Sequence, residues 1–412
     1  MVAPARLEAQ PLGHRSALPR SSSLSLLLLA LLGCGSDAGS PGSGGGQDSV
    51  SGANASEVQD LRATGYAGLD EDADTRLQGV RVGQDRDGPW VVVTDERSRV
   101  LVLDRRGTTR FTYVVPDHDQ VETVAVLPNG GLAALSVDQG VTRFDEHGDV
   151  SWQVTLPAHH EVCATANDSL LVATHTEREW RGRRVRFDEV QHLSPTGEVS
   201  LVFDTFLQRA ELLAIAPESP LDATLDTSLA SNASDDQVYD RFHLNSIQVL
   251  PASELGERDE RFAAGGLLLA LRNADLLVIV DPKTGAIRWH GGPGVLDFPH
   301  TPRFLPTGRI LVFDNGWHRG SSRVIELDPL SMDVTWSYAD DLWSKTRGSA
   351  QRLPGGTTLI AESERGRAIE VDAHGEIVWE WWNPIFDGTS RRRIYRMVAV
   401  PTGWRPPTAA GR

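Results

Sequence analysis

Residues 278–290 read VIVDPKTGAIRWH: an apolar run, a turn opened by Asp281 and closed by Gly285, and a second run that places Trp289 four positions past the glycine. β-Branched residues on both sides favour extended backbone, and the glycine supplies the positive φ that a tight antiparallel turn requires. The same unit recurs at LVLDRRGTTRFTY (101–113), TRFDEHGDVSWQV (142–154), QHLSPTGEVSLVF (191–203), IELDPLSMDVTWSY (325–338) and IEVDAHGEIVWEW (369–381). Gly107, Gly148, Gly197, Gly285, Met332 and Gly375 are its equivalent positions, separated by 41, 49, 88, 47 and 43 residues. A period of forty-odd residues holding several short strands is the pattern of a β-propeller, with one four-stranded sheet per unit. The expectation is an all-β, six-bladed propeller over residues 63–404.

Three intervening hairpins share a second turn, in VAVLPNGGLAAL, RFLPTGRILVF and QRLPGGTTLIA. The double-sized step contains an insertion at about 204–241, which opens with the helix-like FLQRAELLAIA and continues acidic and rich in Ser and Ala. An open ring would leave unpaired strand edges at its two ends. The β-runs in 78–103 and in RRIYRMVAV (392–400) are therefore expected to share one blade. Trp152, Trp289, Trp336 and Trp379 read as core between blades.

Ahead of the repeats, Arg15 and Arg20 precede an apolar run from Leu24 to Leu32, too short for a membrane-spanning helix and suited to an export signal. Leu31-Leu32-Gly33-Cys34 resembles the lipobox of bacterial lipoproteins, which implies residues 1–33 as a signal peptide and Cys34 as a lipidated mature N-terminus. Residues 34–62, rich in Gly and Ser, read as a flexible tether, and 405–412 as a disordered tail. The implied location is a bacterial membrane surface, facing the periplasm or the exterior. Cys163 then has no cysteine partner and reads as a small buried hydrophobe. Net charge is −16, and loss of Arg6, Arg15, Arg20 and Glu8 with the leader leaves 55 acidic against 37 basic residues, −18. Such an excess repels nucleic acid.

In a propeller the innermost strands converge on a central channel. His160, His243 and His300 each begin a β-run that leads into such a strand; Asn245, two residues past His243, shares its face, and Arg272 ends LLLALR. Three histidines, an amide and an arginine at one mouth suit chemistry on an anionic group. His318, in DNGWHRG, reads as a solvated loop residue, and Arg391, Arg392 and Arg393 as a solvated charge run. Each site residue also has a plain structural reading, such as a polar blade corner for His243 and Asn245, or a bridge from Arg272 to Asp275 or Asp281.

The segment from His243 to Pro384, with FHLNSI, LALRNADLLVIVDPKTGAIRWHGG, PHTPRFLPTGRILVFDNG, AQRLPGGTTLIAES and GRAIEVDAHGEIVWEWWNP, resembles the bacterial arylsulfotransferase family of six-bladed propellers. The resemblance implies transfer of a sulfuryl group from a phenolic sulfate donor to a phenolic acceptor through a sulfated histidine, without nucleotide sulfate donor, metal or other cofactor. It casts His300 as nucleophile, His243 and Asn245 as the His-x-Asn pair, Arg272 as the arginine and His160 as the first active-site histidine. Phe298-Pro299-His300-Thr301-Pro302 stands where the family has Gln-His-Asp-Ala. No separate N-terminal β-domain fits before Ala63, and Cys163 alone cannot form the family's disulfide.

The reaction needs fixed positive and hydrogen-bonding groups, because charge spreads over three oxygens during transfer. Cys-x-x-Cys, His-Glu-x-x-His, Walker and Gly-x-Ser-x-Gly patterns are missing from the sequence. The other reading of the same mouth is a non-catalytic surface propeller that binds a small anion, a glycan or a protein.

Overall fold

The computed structural model of the chain describes residues 77–84, 88–217 and 238–407. The leader, Cys34, the 34–62 tether and the middle of the 204–241 insertion lie outside them.

Six blade sheets follow one another along the chain, and a two-stranded hairpin of β26 (Phe386–Asp387) and β27 (Ser390–Arg391) comes after the sixth. After β1 (Gly79–Val82), blade one contains β2 (Val91–Thr94), β3 (Arg99–Leu103) and β4 (Thr109–Val114). Blade two is β5–β8 (Val121–Val126, Leu132–Ser136, Gly140–Phe144, Val150–Val154). Blade three is β9–β12 (Ala158–Ala164, Leu170–Trp180, Arg183–Leu193, Val199–Asp204), joined through β11 by the short parallel β13 (Tyr239–Asp240). Blade four is β14–β17 (Leu244–Val249, Leu267–Leu271, Leu276–Val280, Ile287–Gly291). Blade five is β18–β21 (Pro299–Phe304, Ile310–Asp314, Arg323–Leu327, Val334–Tyr338), and blade six is β22–β25 (Ser349–Arg352, Thr358–Glu362, Arg367–Val371, Ile377–Trp382). This is the six-bladed propeller expected from the repeat.

The middle strands are buried on both faces because each blade is covered by a neighbour on either side. LLLAL in β15 and LLVIV in β16 accordingly lack the alternation of a one-sided sheet. The fourth strands carry the polar and exposed positions, as in VSWQV of β8.

The tryptophans pin one blade to the next. Indole N–H groups donate to turn carbonyls in the following blade: Trp152 to Pro195, Trp289 to Pro329, Trp336 to Ala373 and Trp379 to Arg105. Phe111, with no such donor, packs on the turn glycine of blade two, where a Cβ at Gly148 would lie 2.8 Å from its ring. Met332 replaces the turn glycine in blade five, adopts φ 62°, and still donates its N–H to the Asp328 carbonyl at 2.8 Å.

The chain ends meet, but in two blades rather than one. The last strand, β28 (Met397–Ala399), completes blade one from the inside, pairing Val91 with Ala399 and Val93 with Met397. β1 instead adds a fifth, outer strand to blade six, pairing Gly79 with Trp382. Gln351 of β22 grips β28 from the other side, accepting from Ala399 N–H at 2.9 Å and donating to its carbonyl at 3.0 Å. The helical pattern at the start of the insertion is realised as α1 (Arg209–Ile215).

Trp379 makes the junction between the last and first blades, so Trp379→Phe removes the indole bond that closes the ring. Urea unfolding of this variant is expected to show a loss of about 1–3 kcal/mol in unfolding free energy. A loss within error would mean that the junction is held by packing alone.

Candidate active site

The turns that lead into the innermost strands lie on one face of the ring with the turns between second and third strands. A simple register relates the former. Six residues ahead of the turn prolines Pro128, Pro251, Pro306 and Pro401 stand Glu122, Asn245, His300 and Tyr395; in blade three, where Ala166 replaces the proline, the residue is His160. Five of the six blades thus present a side chain to the same mouth, while in blade six the residue six ahead of Pro354 is Gly348. The geometry is strained, with φ of 59° at His160, 57° at His243, 58° at Phe298, 46° at Thr301 and 64° at Arg347. Such positive φ at bulky and β-branched residues is uncommon and concentrates at functional sites.

His300 sits on β18, an inner strand with one paired neighbour. That explains the tolerated Pro299 and Pro302, since an edge strand does not need every N–H. A register shift falls between His300 and Arg303. His300 is 2% exposed. Its Nδ1 lies 2.7 Å from Asn315 Oδ1, whose amide nitrogen is itself fixed by the carbonyls of Ser344 and Arg347, both at 2.7 Å. The Asn315 amide oxygen can only accept, so Nδ1 carries the proton and Nε2 the lone pair. The backbone N–H of Arg347 donates to Nε2 at 3.2 Å. Burial, then the charge of Arg272, holds His300 well below the usual histidine range.

His243 is organised the same way. Its Nδ1 is 2.5 Å from Asp240 Oδ2, and its buried Nε2 has no hydrogen-bond partner among the described residues. Burial and then Arg272 lower its pKa to about 3, so the ring is neutral near pH 7. Asp240 is held below the ordinary carboxylate range: burial opposes ionisation, but His243, Arg272 and Arg186 together outweigh it. The neighbouring Asp188 is pushed well above that range by burial and by the charge of Asp240. Asp188 Oδ1 lies 3.4 Å from Nε2 of His159, a buried residue behind His160.

Arg272 is 4% exposed, and its guanidinium carbon stands 5.4 Å from the centroid of the Phe298 ring. Its backbone N–H donates to the His243 carbonyl at 3.2 Å, and its Nε to Asn273 Oδ1 at 3.0 Å. Of the acids considered as its bridge partners, Asp281 bonds Arg288, and Asp275 accepts from Phe298 N–H at 2.7 Å. Asn245 donates to the Pro299 carbonyl at 2.9 Å, tying blade four to the residue before His300. The ring of His160 stands 4.6 Å from that of His243. All five residues singled out from the sequence therefore lie around one mouth.

Sequence reasoning passed over Glu122, Asp240, Asn315, Arg347 and Tyr395. The six-residue register would have found Glu122 and Tyr395 had it been applied beyond histidines. His160 Nδ1 is 3.1 Å from Glu122 Oε2 and 2.7 Å from the Tyr395 hydroxyl. Arg347 Nη1 is 3.2 Å from Glu96 Oε1. The three arginines at 391–393 are not a solvated run: Arg391 is buried over Trp382 and Phe386, Arg392 pairs with Asp387, and Arg393 lies near Glu96. His318 is exposed, with Nδ1 2.8 Å from Asp297 Oδ1. Cys163 packs against the core shared by blades three and four, and burial pushes its thiol up to about 11.

A family model described as arylsulfotransferase matches residues 123–384, a span that contains His160, His243, Asn245, Arg272 and His300. No curated protein matches the sequence. Among solved structures, the chain is similar to a protein of unknown function from Bacteroides caccae, at 14% identity over 75% of this chain and 98% of that one, TM-score 0.48. A streptogramin B lyase structure is 11% identical over 77% and 85%, TM-score 0.45. Virginiamycin B lyase from Staphylococcus aureus is 12% identical over 74% and 88%, TM-score 0.43.

The buried neutral histidines make stability depend on pH. Below about pH 6.5 histidines of the unfolded chain take up protons while His243 does not until about 3, so stability falls as pH falls through that window. Each such group contributes a slope of up to about 1.4 kcal/mol per pH unit. Urea unfolding at pH 7, 6 and 5 should show a shallower fall for His243→Gln than for the parent; equal slopes would show that His243 is protonated in the folded protein.

Proposed function

Because the chain belongs to the arylsulfotransferase family, we propose that it transfers a sulfuryl group from a phenolic sulfate to a phenolic acceptor through a sulfated His300, with no nucleotide sulfate donor. The observation that carries this reading is the fixed tautomer of His300: Asn315 holds Nδ1–H, which leaves the Nε2 lone pair for attack on sulfur once the Arg347 N–H gives way. In the first half-reaction the S–O bond breaks, its electron pair goes to the phenolic oxygen, and an S–N bond forms at Nε2. The second half-reaction reverses this with a new phenol, and splitting the transfer lowers each barrier.

Arg272 supplies a permanent positive charge for the sulfuryl oxygens, against a protein of net charge −16. Its position over Phe298 keeps the planar donor fork beside the strand that bears His300. The leader ahead of Cys34 supports an exported enzyme, held to a membrane through lipid and facing the periplasm or the cell exterior. A second reading, a propeller that binds a small anion without turning it over, draws on the 2% exposure of His300 and the engagement of both its ring nitrogens.

Intact-mass measurement after brief exposure to 4-nitrophenyl sulfate separates the two. Transfer predicts one added sulfuryl group with release of nitrophenol, both lost in His300→Ala. In Arg272→Ala the rate is expected to fall by about 10²–10³. Binding without adduct or nitrophenol would establish the second reading, and an adduct that survives His300→Ala would move the nucleophile to His243 or His160.

A further inference from the structure

We propose that Glu122 and Tyr395 are positioning residues that fix the ring of His160 and make it the group that exchanges a proton with the phenolic oxygen. The inference rests on the sulfuryl-transfer reading and assigns a role that the family match does not cover, since both residues lie outside 123–384.

Glu122 Oε2 holds His160 twice, accepting from its backbone N–H at 3.0 Å and standing 3.1 Å from Nδ1. The Tyr395 hydroxyl meets the same nitrogen at 2.7 Å, and its ring runs nearly parallel to the imidazole, at 11° and 5.9 Å between centroids. Three contacts from two other blades thus fix a residue whose own backbone is at φ 59°. They occupy Nδ1, so Nε2 is the nitrogen left for substrate. The side chain of His160 is also 20% exposed, whereas His300 is 2% exposed.

The neighbours of the three histidines divide the work. Arg272 acts on His243 and His300 and disfavours a second positive charge on either. His243 also has a carboxylate on Nδ1, Asp240, but with Arg272 beside it; at His160 the carboxylate is Glu122, which His160 and Arg347 keep ionised despite its burial. With Nδ1–H directed at Glu122, Nε2 is the nitrogen of His160 that can carry a transferable proton. As the S–O bond of the donor breaks, the departing phenolic oxygen takes the Nε2 proton, and His160 is left neutral with Nδ1–H still on Glu122. The incoming phenol returns a proton to Nε2 as its oxygen attacks the sulfur on His300 and the S–N electron pair goes back to Nε2 of His300. Proton and electron pair balance over the two half-reactions.

The test uses leaving groups of different basicity. A weakly basic nitrophenolate departs with little help, whereas the phenolate of phenyl sulfate needs a proton. In Glu122→Gln, kcat for phenyl sulfate is expected to fall at least about tenfold more than kcat for 4-nitrophenyl sulfate, within the range of general acid catalysis. Tyr395→Phe should show the same bias to a smaller degree, and Glu122→Asp should restore part of the lost selectivity. Equal losses with both donors, or no loss, would overturn the assignment, because a merely structural defect does not distinguish leaving groups. A second readout does not depend on turnover: ¹⁵N spectra of histidine-labelled protein, with the His160 signals assigned by their loss in His160→Asn. A protonated Nδ1 in the parent that changes in Glu122→Gln is expected, and an unprotonated Nδ1 in the parent would overturn the inference even if transfer itself is not observed. Conversely, a parent that forms no adduct yet shows the expected spectra would remove the transfer reading and leave the positioning of His160 standing.

Discussion

The indole N–H that reaches from one blade to a turn carbonyl of the next is the interaction on which this ring depends. It is directional, it lies at the outer rim where the blades diverge, and it recurs at Trp152, Trp289, Trp336 and Trp379. The turn glycine serves the same junction, because the rim side chain of one blade rests where a Cβ would project, as Phe111 does on Gly148 and Trp152 on Gly197. Blade three has Leu201 at the equivalent place. There the insertion intervenes: Gln208, just ahead of α1, lies over Gly285, the turn glycine of blade four. The lengthened step in the repeat thus supplies a contact where the rim aromatic is missing.

With the blades fixed in angle, the mouth is fixed as well. Glu122, His160, Asn245, His300 and Tyr395 come from five blades and reach one place because the ring sets their bearings. Below that mouth a buried ion cluster joins blades, Glu161 accepting from Arg396 Nη1 at 2.8 Å and from Ser246 Oγ at 3.0 Å. Histidines held neutral by burial and by Arg272 can donate at Nδ1 and offer a lone pair at Nε2. A nucleophile for an anionic sulfur centre needs that form.

The fold was legible because its signals are local. Asp-x-x-Gly turns, β-branched runs and a bulky residue, in four of the six units a tryptophan, four positions past the turn glycine or its equivalent repeat often enough to define both blade and number. Met332 shows how firm the pattern is, since a residue that resists positive φ still makes the turn. The site was only partly legible. Histidines and an arginine stand out by type, whereas Glu122, Asn315 and Tyr395 are ordinary residues whose meaning lies in where the ring carries them. The arginines at 391–393 misled for the same reason, since aromatic partners from the folded blade, not sequence neighbours, bury Arg391. The joining of the chain ends was anticipated, but its division between blades one and six depends on which edges lie free, and that is a three-dimensional property.

Tyr395 lies two residues ahead of the strand that completes blade one, and it meets His160 across 235 residues of chain. The mouth is therefore incomplete until the segment that carries Tyr395 and the closing strand of blade one has been made, because the first histidine lacks its hydroxyl partner before then. Domains form N-terminal first during synthesis. A chain clipped ahead of Tyr395 lacks both the strand that completes blade one and the hydroxyl that meets His160, so the mouth and the closure of the ring are completed by the same segment.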